Sequence, residues 1–208
     1  MKMNIRKVLN ALSLAGAMVL VFTQMASAAE SGSSPQTAKA IFAGGCFWSV
    51  ERFFDKVDGV VATVSGFTGG TKKNPTYDEV VTGRTGHVES VQVTYDPKKV
   101  SYEKLLDAFW HNIDPFTPNG QFCDFGDQYR TDIFYNDETQ KRLAENSKKA
   151  LQGRFKQPIA TQILSASEFY PAEDYHQDFH IKNPTRYEAY RIACGRDQQL
   201  AKIWGSQK

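Results

Sequence analysis

The sequence predicts an α+β fold: a two-layer sandwich in which a split βαβ (ferredoxin-like) core of mixed or antiparallel sheet carries helices packed on it. Three observations predict it. Segments with strand alternation and segments with helical spacing follow in the order β, α, β, β, α, β between Ala38 and Tyr135. An apolar content of 41% against 23% charged residues is that of an ordinary globular chain. No internal repeat or second linker interrupts residues 38–208, so one domain around one core is expected.

Residues 1–28 stand apart as an expected secretory signal. Lys2, Arg6 and Lys7 form its charged start, Leu9 to Phe22 its apolar run, and Ala26-Ser27-Ala28 its small-residue cleavage site. The run is short for a bilayer core, which takes roughly 20 apolar residues, so removal is favoured over a retained anchor. Export, to a periplasm, and no membrane association after cleavage are expected. Residues 29–37, including "ESGSSPQT", read as a disordered polar linker. The net charge of +2 comes partly from the signal, which argues against a nucleic-acid partner. A monomer is expected.

Ala38 to Ala43, "AKAIFA", is a short buried strand that Gly44-Gly45 breaks, so that a helix can begin at about Cys46. Phe47, Val50, Phe53, Phe54 and Val57 recur at close to helical spacing. Val60 to Phe67 is a second strand, followed by a long Gly-rich loop containing "GGTKKNPTY". In His87 to Tyr95 the alternation puts Glu89, Val91, Val93 and Tyr95 on one face, so Glu89 shares the side with more bulky apolar residues. Ser101 is a good N-cap for a helix with the stripe Leu105, Leu106, Phe109 and Ile113, ended by Asp114-Pro115. Strand Thr131 to Tyr135, a solvated helix from Asp137 to about Leu151 and strand Ile159 to Ala166 complete the core. Beyond it a long irregular C-terminal tail is expected, with short helices around Ala172 to His180 and near Arg186 to Ala193.

The stretch "GGCFW" concentrates the chemistry. A cysteine at a helix start meets free backbone N–H groups and the positive end of the dipole, both of which favour thiolate, so a lowered pKa is expected for Cys46. Glycines permit the sharp turn and leave the approach to sulfur open. Phe47 and Trp48 wall the site with apolar surface suited to a methyl or thioether. A small buried core cysteine is the competing reading, and the strand, Gly-Gly, Cys, helix arrangement weighs against it.

"GGCFWSVE" resembles the active-site signature of the A class of peptide methionine sulfoxide reductases, usually GCFWxxE. "NPTYDEVVTGRTGHVESVQVTYDP", "DQYRTDIFY" and "FYPAEDYHQDFHIKNP" are similar to further segments of that family, in the family's order. The resemblance implies that Cys46 is the nucleophile and that Phe47 with Trp48 pocket the substrate's S-methyl group. It implies Glu89, in "GHVES", as catalytic acid, and Tyr77 and Tyr129 as the phenols that bind the sulfoxide oxygen. Asp124 aligns with an acidic residue of the substrate site. The implied activity makes residues 38–208 a single catalytic domain that reduces methionine S-sulfoxide, free or in oxidised exported proteins, with a thioredoxin-like reductant as partner.

Such chemistry needs a soft nucleophile and a proton for a poor oxide leaving group. Thiolate and neutral acid must coexist near neutral pH, which requires shifted pKa values. Burial of Glu89 on an apolar strand face should raise its pKa. Two phenols are neutral donors, where Lys or Arg would favour ionised Glu89. Attack of Cys46 leads to a sulfenic acid, which a second thiol condenses to a disulfide. No metal, flavin or nicotinamide cofactor is required.

The three cysteines, Cys46, Cys123 and Cys194, form no Cys-x-x-Cys pair, so neither a zinc ribbon nor a thioredoxin-type motif is supported. Cys194, in the tail, is the expected resolving thiol. Cys123 in that role, and a structural Cys123–Cys194 disulfide, stay open. His176 and His180 have i, i+4 metal-ligand spacing, but Gln177 stands where a zincin has Glu, so surface or capping roles are expected. His87 reads as positioning or packing. An exported cysteine amidase or peptidase using His87 or His176 as base is the alternative function. A methionine-binding module with Cys46 in a structural disulfide is a third.

Overall fold

The computed structural model describes residues 36–205, so the expected signal and most of the expected linker lie outside the described residues. In chain order the elements are β1 (Ala38–Gly44), α1 (Phe47–Phe54), β2 (Val60–Thr68), α2 (Tyr77–Val80), β3 (Val88–Tyr95), α3 (Tyr102–Trp110), the short strands β4 (Gly120–Gln121) and β5 (Asp124–Phe125), a 3-10 turn (Asp127–Tyr129), β6 (Thr131–Tyr135), α4 (Glu138–Gln152), β7 (Gln162–Ser165), β8 (Tyr170–Pro171), α5 (Phe179–Lys182), α6 (Pro184–Ala193) and α7 (Arg196–Trp204). Among the described residues no helix is long and apolar enough to cross a membrane.

The main sheet runs β7-β6-β1-β3-β2-β8. Its middle four strands are antiparallel neighbours, with β3 inserted between β1 and β2, the two strands that α1 connects. This is the expected split βαβ core. β7 adds to one edge in parallel after the α4 crossover, and β8 pairs antiparallel with β2 at the other edge, so the sheet is mixed.

Alternation along β1 sorts its side chains to two faces. Ala40 and Phe42 enter the main core under the helices, where the Phe42 ring lies 4.9 Å from Phe54 and 5.1 Å from Phe109. Ile41 and Ala43 point the other way, into a smaller cluster with Val88 and Phe134. Burying a ring such as Phe42 fully stabilises the fold by about 1.5–3 kcal/mol. The expected N-cap is made, Ser101 Oγ accepting from Lys104 N at 3.3 Å, and the structure adds another at α4, where Asp137 Oδ1 accepts from Gln140 N at 2.8 Å.

Two expectations are corrected. β7 is shorter than Ile159 to Ala166 because Ile159 N donates to Gln152 Oε1 and Ala160 N to Pro115 O, which takes both out of the ladder. The tail is mostly helical rather than irregular. Residues 172–178 are not a helix, Pro184 starts α6, and Gly195 at φ +60° breaks it so that α7 can follow. Trp204 Nε1 donates to Ile113 O and Arg196 Nη2 to Asn112 O, which ties α7 to the end of α3. The mostly polar "RDQQLAKIW" hides this helix from periodicity, since its contacts are made by few side chains.

Candidate active site

The end of β1 aims the chain at the site. Gly45 has φ +82°, and a Cβ there would lie 2.5 Å from Gln121 Cβ, so no other residue fits the turn. Cys46 follows as the N-cap of α1, one residue earlier than the helix itself, and is 7% exposed. On the neighbouring strand β3, Val91 pairs with Phe42, so Glu89 comes level with the end of β1. Its Oε2 accepts from Phe47 N at 2.9 Å, taking up a first-turn amide of the helix that Cys46 caps.

Glu89 is 1% exposed, and burial pushes its carboxyl up to about 8, with the nearby Asp124 adding to the rise against the Phe47 hydrogen bond. A proton therefore sits on it at neutral pH. Cys46 departs from expectation, since its pKa is raised well above the ordinary thiol value. Burial is the main cause, the carboxyls of Glu89 and Asp124 add to it, and the Tyr190 hydroxyl and Trp48 amide oppose it. Magnitudes explain the correction: a helix start is worth about 0.3–2 kcal/mol, whereas full burial moves a group by up to 3–5 pKa units, each about 1.4 kcal/mol.

The aromatic wall is assembled from distant segments. The Trp48 ring stacks on Phe179 at 3.7 Å and 6°, and its Nε1 donates to His176 Nδ1 at 3.0 Å. Phe47, 1% exposed, backs the wall between Phe67, Tyr77 and His176. Tyr77 opens α2, which Thr76 starts with a capping box, and its amide donates to Glu173 Oε1 at 2.9 Å. Burial, then Glu89, pushes the Tyr77 phenol up to about 12 and raises Tyr129 as well. Both phenols thus remain neutral donors beside Glu89.

Asp124, half-buried on β5, accepts from the Tyr190 hydroxyl. Cys123 and Cys194 are joined as a disulfide, with Cα atoms 4.9 Å apart, and Cys46 is free. The Asp124 carboxylate and the two bonded sulfurs lie within 4.8 Å of one another. The cysteine pair is therefore next to the group that also acts on Cys46.

His87 serves the loop, its Nδ1 accepting from Gly70 N at 3.1 Å and its Nε2 donating to Lys72 O at 2.7 Å. His176 is not a surface or capping residue, being 2% exposed among Phe47, Trp48, Tyr77 and Tyr175. His180 instead faces Asp55, 3.4 Å away.

Sequence reasoning missed Tyr190, which no local pattern marks, and Glu51, which stands in the last place of the GCFWxxE pattern. Glu51 is fully buried and its Oε2 accepts from Asp178 N at 3.0 Å, fixing the entry to α5 and so Phe179 on Trp48. Burial, with Asp55 and Asp178 nearby, pushes it up to about 8. A carboxyl raised in the folded state gives stability that is full below its unfolded value of about 4.3 and is lost as pH rises through about 8. Glu51→Gln cannot ionise, so its stability relative to wild type is expected to climb by about 2–4 kcal/mol between pH 5 and 8 in urea denaturation. A difference independent of pH would place a charged carboxylate there.

A cysteine beside a proton-bearing carboxyl, with a second sulfur pair at hand, defines a class: enzymes that reduce through one thiol and are restored through a disulfide. The comparisons make the class specific. The family model described as peptide methionine sulfoxide reductase matches residues 38–208, and the chain belongs to that family. Peptide methionine sulfoxide reductase MsrA of Bacillus licheniformis is 54% identical over 168 residues, covering 80% of this chain and 93% of the relative. Among solved structures, Mxr1 from Saccharomyces cerevisiae in reduced form aligns with a TM-score of 0.69 at 32% identity, over 72% of this chain and 87% of that one. Mxr1 in complex with Trx2 aligns at 0.50 and 25% identity, over 69% and 85%.

Proposed function

We propose that the protein reduces methionine sulfoxide to methionine through a sulfenic acid on Cys46 and then a disulfide, which a thioredoxin-like reductant recycles. The observation that carries this reading is Glu89: a buried, proton-bearing carboxyl hydrogen-bonded to the amide that follows Cys46.

The protons balance within the site. Glu89 gives its proton to the sulfoxide oxygen, with the Tyr77 and Tyr129 hydroxyls donating to the same oxygen, and the polarised substrate sulfur becomes open to attack. The carboxylate left behind takes the Cys46 proton as its sulfur reacts. Oxygen passes to Cys46 with the proton that Glu89 gave it, the substrate sulfur gains two electrons and leaves as thioether, and the thiol proton restores Glu89. A raised Cys46 pKa is compatible with this order, because the thiol gives up its proton only as the substrate polarises.

Trp48 and Phe47 supply the apolar side for the S-methyl group, and Asp124 a polar edge of the substrate site. Cys194 condenses with the sulfenic acid, releasing water, and Cys123 then displaces Cys46. This sequence ends with Cys46 free and Cys123 bonded to Cys194, the pairing in the structure. The family resemblance supports the S epimer, and the N-terminal sequence supports export and repair of oxidised exported proteins. The cysteine hydrolase alternative lacks its base, since both ring nitrogens of His87 bond to the backbone and the Nδ1 of His176 is held by Trp48.

Given a methionine-sulfoxide peptide and dithiothreitol, the wild type is expected to form methionine and consume one dithiol for each. Peptide cleavage without dithiol consumption would restore the hydrolase. Cys194→Ser is expected to complete one fast stoichiometric turnover and then stall with a thioredoxin-like reductant. Cycling retained in Cys194→Ser and lost in Cys123→Ser would exchange the two roles.

A further inference from the structure

Resting on that reading, we propose that His176 is a positioning residue of the methyl pocket. By accepting from the Trp48 indole while packing against the Tyr77 ring, it fixes the wall beside the S-methyl group relative to the phenol beside the oxygen, and so sets the preference for methyl over a larger group on the sulfur.

The segment that carries His176, between β8 and α5, is tied to three elements. Glu173 Oε1 accepts from Tyr77 N on α2 at 2.9 Å. Gln177 lies at the edge of β2, its Oε1 accepting from Ser65 N at 2.9 Å and its Nε2 donating to Ser65 O at 2.8 Å. Asp178 N donates to Glu51 Oε2 on α1 at 3.0 Å. The His176 ring, 2% exposed, is thereby delivered against Trp48 and Tyr77, with ring centroids 5.8 and 4.2 Å away.

The place of one proton shows what the imidazole is for. An indole N–H only donates, so the bond from Trp48 Nε1 at 3.0 Å makes Nδ1 the acceptor and puts the proton of the neutral ring on Nε2. Nε2 is buried and has no hydrogen-bond partner. An unpartnered buried donor is costly, and a phenylalanine would fill the same aromatic space without that cost. What a histidine adds here is the acceptor for Trp48. Burial also disfavours the imidazolium, which would turn a second N–H on the indole, against the opposing Glu173 carboxylate.

That acceptor supplies what stacking does not. The Trp48 ring lies on Phe179 at 3.7 Å and 6°, a contact that sets the plane of the indole but lets it slide and turn within that plane. The bond to Nδ1 removes this freedom, and the tether of Tyr77 to Glu173 holds the phenol in the same frame. A sulfoxide sulfur carries oxygen, methyl and the longer chain as different substituents. With the oxygen beside Tyr77, the position of Trp48 decides how much room remains for the methyl group. One methylene in such a pocket is discriminated by about 10–200-fold.

The first test needs no turnover. NMR of labelled histidine nitrogens in the wild type at neutral pH is expected to show His176 neutral and protonated on Nε2; a charged ring or a proton on Nδ1 overturns the proposal. In His176→Phe the indole N–H resonance of Trp48 is expected to move, while those of Trp110 and Trp204, which donate to Ser147 and to Ile113 O, stay in place. An unmoved Trp48 resonance also overturns it. The second test compares methyl and ethyl sulfoxide peptides with dithiothreitol. His176→Phe is expected to lower kcat/KM for the methyl substrate about tenfold or more and to raise the ethyl-to-methyl ratio by a similar factor. Equal losses on both substrates would reduce His176 to packing. His176→Gln offers the indole an amide oxygen and is expected to recover part of the loss; a glutamine no better than phenylalanine removes the hydrogen bond from the account. Absence of methionine formation by the wild type marks the separate failure of the proposed activity, and the spectra stand without it.

Discussion

Cys46→Ser is expected to form no methionine, in steady state or in a single turnover, while keeping its fold. Serine is close in size, and the site asks little of residue 46 structurally, since no side-chain cap bond is made there. What is lost is chemical. A hydroxyl is a hard, weakly acidic nucleophile, and its oxygen has no counterpart to the sulfenic acid that must accept the substrate's oxygen. The companion observation is a mass gain of one oxygen on Cys46 in a Cys123→Ser, Cys194→Ser double variant given sulfoxide. Methionine formation by Cys46→Ser, or oxygen appearing elsewhere, would remove Cys46 from the reaction.

The second large effect belongs to Glu89. Positioned general acids are worth about 10²–10⁴ in rate, and Glu89→Gln keeps an acceptor for the Phe47 amide while losing the transferable proton. Single-turnover methionine formation should fall by about that factor. The pH profile separates this from a packing defect. The active form is the protonated one, so the wild-type rate should decline as pH rises through about 8, where Glu89 ionises. Glu89→Gln should lack that decline. A variant slowed less than tenfold, with the same alkaline fall, would assign the proton to another group.

Much of this was legible because it is written in short periods. The two-residue alternation of Glu89, Val91, Val93 and Tyr95 placed the acid on the covered side of β3, and all four are buried. The stripe Leu105, Leu106 and Phe109 marked α3, and Gly44-Gly45 marked the turn before Cys46. What stayed illegible was carried by long-range contact. Tyr190 reaches Asp124 across 66 residues and Trp48 meets His176 across 128, with nothing in either segment announcing the other. The direction of the Cys46 shift was missed for a related reason: a helix start can be read locally, whereas complete burial between β3, β5 and α6 is a property of the assembled chain.

Because the wall around Cys46 draws on His176, Phe179 and Tyr190, it is closed by residues made last. A ribosome that has finished the sheet but not this final stretch holds a chain whose nucleophile is still an unshielded thiol. The burial that raises the Cys46 pKa is thereby completed only at the end of synthesis, and a product truncated after β7 would carry the sulfur without Tyr190 beside it or Cys194 to resolve its sulfenic acid.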